Sequence, residues 1–233
     1  MRVPLLTARL RTDQPVRGVP ALLRGFLGHR QPESVLLHQH LGEGAQTRLI
    51  YLYPRVQYRL RDGVPLILGL AEGVAAVAHA TKDLDILELA GWRYRVVGVD
   101  YEESEIEIDE RAEPCRYAFA SPWLALNQEN YARYQASSWH ERRHLLKRIL
   151  IGNVLSLCKS FDLAVAQRLD AMVDLRPTRV YVKKQKMVGF LGCFSINFQI
   201  APGLGIGHMV SIGFGEVALS SRQERPAGTG GSS

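Results

Sequence analysis

From Val3 to Arg11 apolar and polar residues alternate with a period of two, which predicts a half-buried strand. Val16, Val19, Leu22, Leu23 and Phe26 then recur at helical spacing, so Pro15 to Leu27 is expected to be a helix. Two runs rich in Tyr, Val and Leu follow, Arg48 to Leu60 and Val64 to Leu70. The turn dipeptide Asp62-Gly63 separates them and predicts a hairpin. Alanine-rich Glu72 to His79 reads as a short helix, and Trp92 to Ile108 returns to strand character. The order is β-α-β-β-α-β, the ferredoxin-like arrangement.

The pattern restarts near Cys115 with the strand-like Arg116 to Ala120, followed by a long helical region from Asn127 to Phe161. Strand-like runs cover Arg179 to Phe190 and Cys193 to Ile200, and a last short strand is expected around Gly215 to Leu219. Between them lies GLGIGHMVSIGFGEV, residues 203–217. The reading is α+β: two tandem ferredoxin-like (RRM-like) domains, with the glycine-rich loop where the second unit would carry its second helix. The boundary is expected between Glu110 and Pro114, giving units at 1–112 and 113–221 and a flexible tail at 222–233. No internal sequence repeat accompanies this order.

Composition changes the picture in two ways. The chain of 233 residues carries a formal net charge of +6, which favours an anionic partner such as nucleic acid. Its three cysteines, Cys115, Cys158 and Cys193, are odd in number and far apart, so they indicate neither a disulfide framework nor a zinc site. A reducing cytoplasm fits them best. No apolar run is long enough to cross a bilayer, so no membrane partner is expected.

Several segments are candidates for holding an anionic polymer. Glycines 203, 205, 207, 213 and 215 lack a Cβ, so the backbone there can approach RNA closely and present amide N–H groups to phosphates; a loop that only joins strands is the alternative. It is a poor dinucleotide fingerprint, having no helix or βαβ unit after it. In HERRHLLKR, residues 140–148, Arg143 and Lys147 are four apart, as are His140 and His144, giving a helix with a cationic side that includes Arg142. That side either follows phosphates or is simply a solvated face. Strand alternation would split the second cluster, placing Lys184 and Lys186 on one face and Lys183 on the other. Arg17 and Arg24 are weaker candidates. The acidic run from Glu102 to Glu110 would repel RNA and reads as an exposed guard on an edge strand.

Gly203, Gly205, Gly207 and Gly213-Phe214-Gly215 resemble the C-terminal signature of the repeat-associated RNA-binding proteins of CRISPR systems. Other stretches are similar to the sixth Cas family among them: LLHQH at Leu36 to His40, YPRVQYRLRDGVPLILGLAEG at Tyr53 to Gly73, SPWLALNQENYARY at Ser121 to Tyr134 and KRILIGNVLSLCKSFD at Lys147 to Asp162. The resemblance covers nearly the whole chain. It implies a metal-independent endoribonuclease, with no cofactor, that cuts precursor CRISPR RNA within its repeats and leaves a 2′,3′-cyclic phosphate and a 5′-hydroxyl. It also implies a repeat RNA as partner, with other effector subunits and a second copy of the chain as further partners to test. A non-catalytic RNA-binding subunit of an effector complex is the other reading. One departure stands out: after the GxG of the loop the family commonly has a lysine or arginine, and here it is His208.

The implied reaction needs a base for the ribose 2′-hydroxyl, an acid for the leaving 5′-oxygen and a donor near the phosphorane. Histidine suits both proton transfers. By resemblance, His38 and His40 match histidines that act in cleavage in one branch of the family, with His40 principal and His38 assisting. Two residues apart, they share a face in an extended segment. Without that context two surface histidines would merely cap a loop, and as metal ligands they lack completing partners at a recognisable spacing. Tyr51 and Tyr53 could orient the scissile phosphate or donate a proton, or pack as strand aromatics. His208 is counted with the glycines as an RNA contact.

Overall fold

The computed structural model describes residues 1–38, 40–41, 48–49, 53–182 and 185–220; of His38, His40, Leu41, Arg48 and Leu49 it describes the backbone only. In the N-terminal half, β1 (Arg2–Thr12) leads to α1 (Pro20–Arg30) and the single turn α2 (Val35–His38). Two short paired strands, β2 (His40–Leu41) and β3 (Arg48–Leu49), precede β4 (Val56–Arg61), β5 (Val64–Leu70) and α3 (Gly73–Thr81). A hairpin of β6 (Ile86–Leu89) and β7 (Trp92–Glu107) completes the half. The sheet order is β4-β5-β1-β7-β6, and every described pairing is antiparallel. Without the added β6, this is the ferredoxin-like order that the element sequence predicts.

Asp62 (φ 50°) and Gly63 (φ 78°) both take left-handed backbone, as a two-residue turn between twisted strands requires. Helix α1 begins five residues later than its periodicity suggests. Gly18 has φ 131° and Val19 is extended, so Pro20 with its fixed φ becomes the first helical residue. The expected strand from Arg48 to Leu60 is likewise two strands, β3 and β4.

In the C-terminal half, β8 (Asp109–Phe119) starts the second sheet two residues after β7 ends. The expected long helix is two, α4 (Gln128–Ala136) and α5 (Trp139–Ser160). Asn127 caps α4 through its side chain, and Ser138 with Glu141 forms a capping box that restarts the chain as α5. The strands β9 (Ala171–Val182) and β10 (Gln185–Gln199) pair along their whole length, and β11 (Val217–Leu219) returns beside β8. The expected break at residues 191–192 is absent, because Gly192 continues the ladder opposite Leu175 with φ 131°. The order β11-β8-β10-β9 is again ferredoxin-like, with the glycine-rich segment standing where the second helix would be.

β1 shows why the halves adhere. Leu6, Ala8 and Leu10 face the first unit's own helices in a cluster with Leu23, Leu27, Tyr58 and Val77. On the other face Val3 and Leu5 join the second unit's core around Phe119, Trp123, Leu150, Phe194 and Phe198. The alternation that predicts a half-buried strand is therefore a strand buried on both faces at one end, each face by a different half.

A candidate RNA-binding site built on the glycine-rich loop

The glycine-rich loop packs along β4, the edge strand of the first sheet, and β4 is built to hold it. Tyr58 points into the helical side, fully buried, and its hydroxyl donates to the Leu37 carbonyl of α2 at 3.1 Å. Gln57 and Arg59 point to the opposite face. The Gln57 carboxamide oxygen accepts from the Gly205 amide at 3.2 Å and from Arg59 at 2.7 Å. Arg59, 2% exposed, also donates to the carbonyls of Tyr58 (3.0 Å), Val210 (3.1 Å) and Gly203 (3.4 Å). Its Nε lies 3.4 Å from Glu216, which also pairs with Arg61. Burial lowers the Arg59 pKa and Glu216 opposes that shift. Arg55 sits over the Phe161 ring at 3.8 Å, bonds the Ser160 carbonyl and pairs with Glu72, tying the end of α5 to the same strand region.

Tyr53 belongs to this latch. Its hydroxyl donates to the Gly205 carbonyl at 2.8 Å and accepts from Gln57 at 2.9 Å, and burial pushes its pKa up to about 12. A phenol so committed holds the loop, its proton engaged by the Gly205 carbonyl.

The loop's own amides are also engaged. Gly203 donates to Val217, Gly205 to Gln57, Gly213 to Val210, Gly215 to Pro122 and His208 to Leu124. At these positions the backbone spends its donors on the fold, so the amides of Gly203, Gly205, Gly213 and Gly215 are not held free for phosphates. Gly207 answers to packing. Its φ is 97°, and a Cβ would lie 2.5 Å from Nε1 of Trp123, whose indole stacks on Phe119 at 5.2 Å and bonds Asn153. His208 is exposed, and partial desolvation by its surroundings lowers its pKa.

His40 begins β2 opposite Leu49, and His38 ends α2 beside the Leu37 carbonyl that Tyr58 holds. The side chains of His38 and His40, and all of Tyr51, Lys183 and Lys184, lie outside the described residues. Val182 ends β9 paired with Gln185, the first residue of β10, and Lys186 lies opposite Tyr181, so the run expected as one strand from Arg179 to Phe190 belongs to two; the alternation expected across Lys183 to Lys186 falls partly outside the described residues.

On α5 the structure gathers most of the expected cationic side. His140, Arg143, His144 and Lys147 line a hollow of about 260 Å³ against Ala171 to Val173 of β9. Arg143 donates to the Val173 carbonyl at 3.1 Å, and Lys147 pairs with Asp170 at 2.6 Å. Arg142 is elsewhere. It stacks on Tyr134 at 4.8 Å and bonds the carbonyls of Tyr134 and Gln135, closing the α4–α5 elbow apart from that hollow. Sequence reasoning missed Arg59 and Glu216. A buried ion pair between segments 157 residues apart has no local periodicity, and only the coincidence of a polar Arg-x-Arg in an apolar strand signals it.

Family models place the chain. That of the Cas6b N-terminal domain matches residues 1–107, and that of the Cas6b C-terminal domain matches residues 109–219. The chain belongs to the Cas6b family. A crystal structure of Cas6b is 29% identical with a TM-score of 0.83, covering 94% of this chain and all of its own. A second, described as the CRISPR RNA processing endoribonuclease Cas6b, is 28% identical with a TM-score of 0.74 over the same shares. An uncharacterised protein of Methanocaldococcus jannaschii is 39% identical over 132 residues, 56% of this chain and 90% of that protein. The two models meet at Ile108, the residue between β7 and β8. In Cas6b terms, the latch joins the N-terminal domain's β4 to the C-terminal domain's loop. Among the described residues no three His, Cys, Asp or Glu side chains are placed to hold a metal ion, and no helix is long and apolar enough to cross a membrane.

Proposed function

We propose that this chain is the endoribonuclease that cuts precursor CRISPR RNA within its repeats. The observation that carries the reading is the match of both halves to Cas6b, together with likeness over 94% of the chain to a structure described as a CRISPR RNA processing endoribonuclease. The ribose 2′-oxygen attacks the adjacent phosphorus as a base takes its proton, and the P–O5′ bond breaks as an acid protonates the departing oxygen. The products are a 2′,3′-cyclic phosphate and a 5′-hydroxyl. His40 and His38 supply the proton transfers, and general acid–base chemistry of this kind needs no ion. Tyr58, by holding the Leu37 carbonyl, fixes the turn from which the histidine segment leaves. The basic surface of α5 holds the RNA backbone, with Arg143 and Lys147 as its cations.

The test incubates the protein with cognate repeat RNA in excess EDTA and maps the cut ends. Cleavage is expected to persist in EDTA with a cyclic phosphate on one product. Loss of activity in EDTA refutes the metal-independent chemistry, and binding without cutting refutes the nuclease in favour of a carrier subunit. His40→Ala is expected to lower the cleavage rate about 100-fold or more, as removal of a positioned acid or base does, and His38→Ala less. Full activity in both variants removes the pair.

A further inference from the structure

The outer end of the β9–β10 hairpin carries an exposed surface not used by the latch. In the paired register, Ala171, Val173, Leu175, Pro177, Arg179 and Tyr181 share one face of β9 with Phe190, Phe194 and Ile196 of β10, and that face lies under α4 and α5. Lys147 meets Asp170, Arg143 meets Val173, and Tyr134 of the elbow packs edge-on against Phe190, the partner of Pro177. On β9 the helices therefore cover this face as far as Leu175, and Pro177 is already exposed. Beyond them Arg179, Tyr181 and Lys186 stand in solvent, with Tyr181 70% exposed. At the boundary Trp139, first residue of α5, is 61% exposed although Arg143 lies 4.8 Å over its ring.

These residues define a tract: Lys147 and Arg143 against Asp170 and Val173, Trp139 one helical turn before Arg143, and Arg179, Tyr181 and Lys186 further out on the same face of the hairpin. It follows β9 for ten residues, about 33 Å at the rise of a strand. The acids beside it are already occupied, Asp170 by Lys147 and Glu141 by the cap of α5, while Asp174 lies on the opposite face. Cations interleaved with two large exposed aromatics, Tyr181 on the open sheet face and Trp139 on α5 with Arg143 over one side of its ring, match unpaired bases, because bases stack on aromatic rings whereas a stem offers only phosphates and groove edges. Aromatics this exposed also sacrifice burial that a purely electrostatic surface would not require.

We infer that this tract binds an unpaired stretch of RNA, stacking bases on Trp139 and Tyr181 while the cations follow the phosphates. This rests on the proposed function, and it specifies that part of the repeat is held single-stranded. The experiment measures binding of the full chain to a short fluorescein-labelled oligouridine and to a blunt RNA duplex of similar length by anisotropy. The single strand is expected to bind more tightly. Trp139→Ala and Tyr181→Ala are each expected to weaken it about 5- to 150-fold, the range for loss of one stacked base. Tyr181→Phe, which keeps the ring, is expected to bind within about twofold of wild type, and the quenching of indole fluorescence expected on binding in the native chain is expected to disappear in Trp139→Phe, which lacks the stacked indole and keeps only Trp92 and Trp123. Circular dichroism checks that each variant folds. Preference for the duplex, or native affinity in both alanine variants, overturns the inference; if the native chain still cuts repeat RNA in that case, the proposed function stands alone. A native chain that neither binds nor cuts any RNA overturns both.

Discussion

Replacing Glu216 by Gln tests the latch directly. The substitution keeps size and shape but removes the only carboxylate facing Arg59 among the described residues, 3.4 Å away, with side-chain exposures of 3% for Arg59 and 11% for Glu216. A buried pair broken on one side leaves an uncompensated charge, which costs about 3–5 kcal/mol. The glutamine oxygen can still accept from one guanidinium, so the lower end, about 3 kcal/mol, is expected. Arg61 contributes little because it is 56% exposed, and surface pairs contribute about 0–1 kcal/mol. For a chain of this length each kcal/mol lowers Tm by about 2–4 °C, so Glu216→Gln is expected to lose about 6–12 °C and Arg61→Ala no more than about 4 °C. Differential scanning calorimetry and urea unfolding at unchanged slope measure both. A loss below about 2 °C for Glu216→Gln would show that the pair contributes no more than a surface contact, and the account of how β4 holds the loop would fail.

Tyr53→Phe removes the bond to the Gly205 carbonyl and is expected to cost about 1–2 kcal/mol of stability while leaving the pH dependence of cleavage unchanged; a folded but inactive variant would put the phenol in the chemistry. Gly207→Ala forces a Cβ toward Trp123 at φ 97°, and is expected to destabilise by about 2 kcal/mol or more and to alter tryptophan emission; a neutral melt would contradict the packing. Burial raises Cys158 to about 11, so iodoacetamide at neutral pH is expected to label Cys115 and Cys193 well before it, read by peptide mass spectrometry. The same shift has a sign for stability. A raised folded pKa leaves that contribution intact below the unfolded value near 9 and removes it as pH rises from about 9 to about 11, with Tyr53 adding further loss above about 10. Urea midpoints that hold steady to pH 11 would contradict both burials.

The sheet architecture was legible in the chain because it rests on local devices. The period-two run at Val3 to Arg11, the Asp62-Gly63 turn and the glycine segment in place of a helix are each written within a few residues. The break at Ser137 and Ser138 was equally local but easily passed over, since a capping box inside a helical pattern looks like ordinary polar spacing. Where the loop's amides go was illegible for a different reason. Glycines advertise a permissive backbone, not where its amides are spent, and the recipients, Gln57, Pro122, Leu124 and Val217, are brought there by the tertiary fold. Arg142 and Arg143 are neighbours in sequence with opposite fates because successive helical positions point about 100° apart, one into the elbow and one onto β9.

The latch also defines what can be recombined. Each half has its own sheet and much of its own core, which suggests that relatives could exchange them at Ile108. Yet the C-terminal half keeps its carboxylate at position 216 and its loop carbonyls at 203 and 210 for arginine and glutamine side chains that belong to the other half, at 57, 59 and 61. A chimera joined at the midpoint inherits a socket from one parent and a plug from the other. The heritable module is therefore the C-terminal sheet together with strand 56–61, two pieces far apart in the gene that must change hands together.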